Sequence, residues 1–142
     1  YITSGEMQKT IHDFYGFPQE LFEVEYPAKG NPKLAKETAE LLAPTSVIET
    51  DSWGLDHGAW SVIKHLYPAA NTPVIQMSID YTQPAQYHFD LAKKLQKLRE
   101  KGILIIGSGN VVHNLRMIDW KNINTVGAGC DWAIEARAKT NE

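Results

Sequence analysis

Short apolar runs and longer amphipathic stretches alternate along the chain, and this alternation predicts the elements of the fold. Apolar side chains recur at helical spacing in three stretches, which predicts helices over residues 32–43, 59–67 and 84–101. Apolar runs bounded by turn residues predict strands over residues 46–50, 74–79 and 103–106. Strands that are separated by helices favour a largely parallel or mixed sheet with helices on both faces. The pattern therefore predicts an α/β fold with three layers.

Capping residues mark where the first long helix begins and where the third ends. Asn31 followed by Pro32 combines a preferred N-cap with a residue that suits the first helical position. Pro44 stops that helix, and Gly102 ends the third one. These signals fix the predicted helix boundaries within the chain.

The apolar run over residues 103–106 precedes the first candidate catalytic residue. Its four apolar residues suit a strand that is buried on both faces, and the turn at residues 107–110 follows it. His113 comes just past that strand end, where ligand crevices form in open α/β sheets. The turn lacks the third glycine of a dinucleotide fingerprint, which excludes nucleotide binding. His113 is either part of an active-site floor or a hydrogen-bonded structural histidine.

Composition narrows the class of protein. The 142 residues are 43% hydrophobic and 22% charged, which fits a single globular domain over residues 1–142. A net charge of −3 gives no electrostatic footprint for nucleic acid, and no apolar run approaches the length of a membrane span. Cys130 is the single cysteine, which excludes an internal disulfide. We expect a cytoplasmic protein.

Polar side chains follow each predicted strand. Asp56 and His57 come after the first strand, Asp80 after the second, and Asn110 and His113 after the third. Because parallel strands present their carboxyl ends at one edge of a sheet, we expect these side chains to face one crevice. Two imidazoles in such a crevice suit proton transfer at neutral pH or metal binding.

Aromatic residues add a second feature that a ligand would recognise. Four of them, Phe14, Tyr15, Phe17 and Trp60, could flank a planar ring. We expect Phe17, together with Asp56, Asp80 and Asn110, to line the substrate site.

Several motifs resemble one family in combination and in order. The chain carries Thr-Ile-His-Asp-Phe-Tyr-Gly-Phe-Pro at residues 10–18, Tyr-Pro-Ala at 26–28, Trp-Gly-Leu-Asp-His-Gly-Ala-Trp at 53–60 and Ser-Gly-Asn-Val-Val-His-Asn-Leu at 108–115. With these motifs the chain resembles the class III extradiol ring-opening dioxygenases, in particular the 4,5-DOPA dioxygenase branch. The resemblance covers nearly the whole chain.

The resemblance implies an enzyme that opens the ring of a catechol such as DOPA with dioxygen and a non-haem metal, Fe(II) or Zn(II). His113 resembles the family's acid/base histidine, which in some relatives touches the metal. His57 resembles the second pocket histidine, which binds substrate or oxygen. Imidazole fits this chemistry because a catechol hydroxyl must lose a proton.

The principal metal-ligand motifs of the family do not occur in this sequence. They are an upstream Gly-His-Gly-Ser-Pro loop, a Ser-Ala-His-Trp strand end and a ligand in a downstream segment. We therefore expect a central, incomplete portion of the catalytic domain. One alternative is an inactive remnant that forms a homodimer through an exposed sheet edge. Another is a metal-free acid/base pair of His57 and His113.

Overall fold

The computed structural model describes residues 1–110 and 114–141 of the chain. These residues belong to two compact units, residues 1–108 and residues 109–142. The prediction that the whole chain is a single catalytic domain stays a prediction. His113 lies outside the described residues.

A small sheet lies in the first unit. Strands β1 (Ile2–Thr3) and β2 (Glu49–Thr50) are parallel, with Ile2 opposite Glu49 and Thr3 opposite Thr50. The predicted strand over residues 74–79 lies along β1, where Ile2 and Met77 form an antiparallel bridge. The Thr3 amide donates to the Gln76 carbonyl over 3.0 Å. This open sheet with flanking helices confirms the α/β fold class, although β2 is shorter than the strand predicted over residues 46–50 and β1 was not predicted.

The first unit contains five helices, and the three predicted helical stretches appear among them in the predicted order. They are α1 (Gln19–Phe22), α2 (Pro32–Leu41), α3 (His57–Leu66), α4 (Ala85–Lys94) and α5 (Gln96–Arg99). Asn31 caps α2 as predicted, since its side-chain oxygen accepts from the Leu34 amide over 2.9 Å. The helix predicted over residues 84–101 is divided into α4 and α5, and Gly102 follows it with a φ of 77°. That left-handed conformation favours glycine.

Two hydrophobic clusters hold the first unit together. One contains Phe14, Tyr26, Ala28, Leu55, Trp60 and Ile63. The other contains Ile2, Ala35, Leu42, Leu95 and Leu98. The first cluster packs α3 against the aromatic loop over residues 11–18, so it positions the beginning of α3 beside that loop.

The prediction of a doubly buried strand over residues 103–106 is wrong. These residues form no regular strand, and Leu104, Ile105 and Ile106 are 64%, 45% and 41% exposed. The Ile103 amide donates to the Leu98 carbonyl, but no described segment pairs with the backbone of residues 104–106. An apolar run becomes a buried strand only where neighbouring chain covers it, and the described residues do not supply that cover.

The second unit contains a 3₁₀ helix (Leu115–Met117) and helix α6 (Asp131–Asn141). Residues 133–139 also show apolar side chains at helical spacing, which is typical of such a helix. None of the helices that the structure describes combines the length and apolar character needed to cross a bilayer.

Candidate active site

The beginning of α3 is set by Asp56. Its Oδ1 accepts from the Ala59 amide over 2.9 Å, which is an N-cap bond, and its Oδ2 accepts from Gln76 Nε2 over 2.5 Å. The Asp56 amide in turn donates to Gln76 Oε1 over 2.9 Å. Both carboxylate oxygens of Asp56 are therefore engaged within the protein. The helix begins one residue later, at His57, rather than at residue 59 as the pattern predicted.

His57 is paired with a carboxylate that the sequence analysis did not single out. Asp13 Oδ1 lies 2.8 Å from His57 Nδ1 and also accepts from the His57 backbone amide over 3.0 Å. The side chains of His57 and Asp13 are 49% and 32% exposed. His57 Nε2 forms no hydrogen bond with the described residues, so it is open to a ligand.

The pair changes the acidity of Asp13. Partial burial on its own raises the pKa of the Asp13 carboxyl, but the hydrogen bonds from the His57 side chain and amide outweigh that effect. The net result is a pKa below the ordinary value of 3.8. Asp13 is therefore a carboxylate at neutral pH and can act only as a hydrogen-bond acceptor.

An aromatic wall adjoins His57. The buried Phe14 ring meets the His57 ring edge to face at 5.8 Å, and Phe17 meets Phe14 in the same way at 5.4 Å. Phe17 is 52% exposed and is available to a ligand. Trp60 is buried, and its Nε1 donates to the Ile11 carbonyl over 2.9 Å. Of the four predicted aromatics, Phe17 is thus the one that combines accessibility with contact to this wall.

A further contact joins the turn after residue 106 to the same helix. Ser108 Oγ donates to the Gly58 carbonyl over 2.5 Å, directly beside His57. Ser108, the last residue of the first unit, is therefore attached to the start of α3.

Two other predicted site residues, Asp80 and Asn110, have contacts or surroundings of their own. Asp80 Oδ1 accepts from the amide and hydroxyl of Thr82, so it stabilises the turn before α4, and its described hydrogen bonds do not reach Asp56 or His57. Asn110 belongs to the second unit, where it lines a groove of about 730 Å³ together with Asn114 and Trp132. The roles of Asp80, Asn110 and His113 stay predictions.

Asp13 and Gln76 are the residues that sequence reasoning missed. Asp13 is separated from His57 by 44 positions, and no spacing rule connects two such positions. Gln76 had a weak signal, because it is a polar residue within an otherwise apolar run. A polar side chain at such a position usually has a partner.

The non-haem metal that the family resemblance implies does not fit the described residues by themselves. No group of three or more His, Cys, Asp or Glu side chains comes together within residues 1–110 and 114–141. His57 and Asp13 supply two donor groups, which are also hydrogen-bonded to each other. A firmly held metal needs more ligands than this pair.

Comparison with known proteins identifies the family. Residues 1–134 match the family model of the catalytic LigB subunit of aromatic ring-opening dioxygenase. The chain is 50% identical over 120 residues to the 4,5-DOPA dioxygenase extradiol of Escherichia coli K12, covering 84% of this chain and 44% of that protein. It is 41% identical over 107 residues to the 4,5-DOPA dioxygenase extradiol of Mirabilis jalapa, covering 73% of this chain and 40% of that protein.

A solved structure agrees with this result. The crystal structure of an uncharacterized Escherichia coli K12 protein matches with a TM-score of 0.73 and 39% identity, covering 96% of this chain and 50% of that one. The chain thus spans about half the length of the relatives it matches. Because the family model extends over residues 1–134 and the solved structure shares the fold, the chain belongs to the LigB family of aromatic ring-opening dioxygenases.

Proposed function

We propose that this chain acts in extradiol opening of a catechol ring, with DOPA as a representative substrate and dioxygen as the oxidant. The observation that carries the proposal is the Asp13–His57 pair beside the Phe14–Phe17 wall, in a chain of the LigB family. LigB extradiol dioxygenases are non-haem metal enzymes. Relatives that are 41% to 50% identical are named 4,5-DOPA dioxygenase extradiol, which supports the choice of substrate class.

Two histidines are assigned to the transfer and hydrogen bonding of the substrate's protons. A phenolic hydroxyl has a pKa of about 10 and does not ionise at neutral pH without a base, whereas imidazole accepts a proton in that range. We assign His113 as the acid/base group and His57 as the second histidine, whose Nε2 hydrogen-bonds the substrate. The two histidines are assigned to one site because both belong to the motifs that carry the family resemblance.

The aromatic ring of the substrate would lie against Phe17. Its half-exposed ring continues the wall that Phe14 begins, and stacked or edge-to-face aromatic contacts stabilise such a complex. Asp56 contributes by holding α3 and His57 in place, since its carboxylate oxygens are already engaged. Asn110 and Asp80 are assigned to the polar end of the substrate.

The metal is proposed to be Fe(II) or Zn(II), with His113 as one ligand. The described residues do not complete a coordination sphere, so the remaining ligands must come from other side chains. The chemistry that such a metal supplies is binding of the diol and handling of dioxygen.

The test combines metal analysis with oxygen uptake. The purified protein is loaded anaerobically with Fe(II) or Zn(II), and bound metal is measured before DOPA and air are added. We expect about one equivalent of metal per functional unit and oxygen uptake with DOPA but not with tyrosine, which lacks the second hydroxyl. No bound metal and no uptake under either loading would contradict the proposal.

His113→Ala tests the acid/base assignment in the same assay. We expect ring opening to fall by about 100-fold or more, because general acid–base catalysis typically contributes that much. The bound metal is measured in the same samples: it is retained if His113 acts only as acid and base, and it is lost if His113 is also a ligand. His65→Ala is the matched control, since His65 is an exposed histidine on α3. An unchanged rate in His113→Ala would refute the role.

A second candidate function is a catalytically inactive module that forms a homodimer. The exposed apolar run Leu104, Ile105 and Ile106 favours it, because exposed apolar chain that no described segment covers favours association with another copy. Its test is the oligomeric state.

We propose the cytoplasm as the location of the protein. Cys130 is a free and exposed thiol, which is typical of proteins in a reducing compartment. Fractionation of cells that express the protein tests this assignment.

A further inference from the structure

We propose that Asp13 is a positioning residue that fixes the tautomer and direction of the His57 ring, with the proton on Nδ1 and Nε2 presented as the acceptor. The chemical use of that acceptor rests on the proposed function, whereas the tautomer itself does not. Of these two residues, the family resemblance assigned a role only to His57, and Asp13 was not among the expected site residues.

One carboxylate oxygen of Asp13 contacts two nitrogen atoms of His57. Asp13 Oδ1 lies 2.8 Å from His57 Nδ1 and accepts from the His57 amide over 3.0 Å. Because an ionised carboxylate only accepts, the 2.8 Å contact requires a proton on Nδ1. In a neutral imidazole the other nitrogen, Nε2, is then the acceptor.

Backbone hydrogen bonds and buried aromatic side chains fix the position of Asp13. The Leu55 amide donates to the Lys9 carbonyl and the Ile11 amide donates to the Leu55 carbonyl, both over 2.8 Å. Trp60 Nε1 anchors the Ile11 carbonyl on the N-terminal side of Asp13, and the buried Phe14 ring anchors its C-terminal side. The carboxylate is thus held from both directions.

Gly54 makes this approach of the two segments possible. A Cβ atom at position 54 would lie 2.2 Å from the Lys9 carbonyl oxygen, so no larger residue fits without movement of the backbone. The segment that carries Asp13 therefore packs directly against the loop that leads into α3.

The orientation of the His57 ring is also restricted by an aromatic neighbour. The Phe14 and His57 rings are 85° apart in plane, with centroids 5.8 Å apart. The hydrogen bond to Asp13 and this edge-to-face contact act on the same imidazole and together restrict its rotation. A ring held in this way presents Nε2 in one direction.

The chemical consequence concerns the charged form of His57. When Nε2 takes or shares a substrate proton, the carboxylate on the other side stabilises the positive charge that develops on the ring. Asp13 would therefore act through His57 without touching the substrate.

The experiment is a ¹⁵N–¹H NMR measurement of the histidine rings in the purified protein, with the His57 signals assigned by their loss in His57→Gln. In the wild type we expect the chemical-shift pattern of the Nδ1–H tautomer for His57 at a pH where the ring is neutral. In Asp13→Asn and Asp13→Ala we expect the population to shift toward Nε2–H. Asp90→Asn is the control, because Asp90 is an exposed carboxylate that pairs with Lys93 on α4; it should leave the His57 signals unchanged.

Two results would overturn the proposal. One is an Nε2–H tautomer for His57 in the wild type, and the other is the same His57 pattern in the wild type and both Asp13 variants. Circular dichroism of each variant shows whether it has folded, and Asp13→Asn, which keeps the shape of the side chain, guards against loss of the fold in Asp13→Ala.

Activity separates this proposal from the proposed function. If ring opening is observed, Asp13→Asn should lower kcat/KM by about tenfold or more, because the tautomer in which His57 presents Nε2 to the substrate as an acceptor is then less populated. If the wild type has no ring-opening activity, the proposed function fails, while the NMR result still decides the role of Asp13.

Discussion

Asp13 and His57 are 44 positions apart in the chain, yet one carboxylate oxygen meets two donors of the histidine. At the scale of single residues this contact has an energetic consequence as well as a chemical one. The pKa of Asp13 is lower in the folded protein than its ordinary value of 3.8. A carboxyl whose folded pKa is depressed stabilises the fold above its unfolded pKa, and it loses that contribution as the pH falls through the folded pKa.

The acid dependence of stability therefore tests the pair. We expect Asp13→Asn to be less stable than the wild type at neutral pH, and the difference to shrink as the pH falls below about 4, where the carboxyl of the wild type also becomes protonated. Urea unfolding at a series of pH values between about 3 and 7 measures this difference. In a His57→Gln background the pH-dependent part should be smaller, and a difference that keeps growing as the pH falls below about 4 would contradict the pair.

At the scale of elements, caps decide where the two best-defined helices begin. Asn31 caps α2 and Asp56 caps α3, each through a 2.9 Å bond to a backbone amide three residues on. The Asn31 cap follows directly from the sequence, because asparagine before proline is a strong start signal. The beginning of α3 depends in addition on Gln76, which comes from a distant segment.

Asn31→Ala measures the value of the first cap. We expect a loss of about 0.5–2 kcal/mol in the free energy of unfolding, because the Leu34 amide loses its acceptor. Urea unfolding measures the stability of each variant. Asn31→Asp is the conservative variant, and Asn71→Ala is the control at an exposed asparagine. A loss in Asn71→Ala as large as in Asn31→Ala would show that the cap is not responsible.

At the scale of the whole molecule, the hydrophobic clusters account for the interior of the first unit but leave one apolar run outside it. Leu104, Ile105 and Ile106 are each more than 40% exposed. An exposed apolar run is a site for association with other chain segments. The homodimer of the second candidate function would form through this surface.

The prediction is that the protein self-associates with rising concentration and that Ile105→Lys weakens this association by about tenfold or more, because the charge must be desolvated in the contact. Light scattering coupled to size-exclusion chromatography measures the mass at each concentration. Leu66→Lys, which places the same charge at another exposed apolar side chain, is the control and should leave the mass unchanged. A wild type that stays monomeric at every concentration would remove the homodimer.

The sequence by itself determined the features that depend on neighbours along the chain. These are the order of helices and apolar runs, the Asn31 cap, the end at Gly102 and the motifs that carry the family resemblance, which the family match over residues 1–134 confirms. Such features follow from local periodicity and backbone preference, so they can be read from a few consecutive residues.

Tertiary structure alone decided which distant groups meet. The Asp13–His57 pair and the Asp56–Gln76 bonds depend on how the aromatic loop packs against α3, and no spacing in the sequence encodes that packing. The exposure of residues 104–106 was likewise beyond the pattern, because an apolar run predicts burial but does not supply the chain that would cover it. Burial and side-chain pairing are properties of the assembled core, whereas periodicity is a property of the local chain.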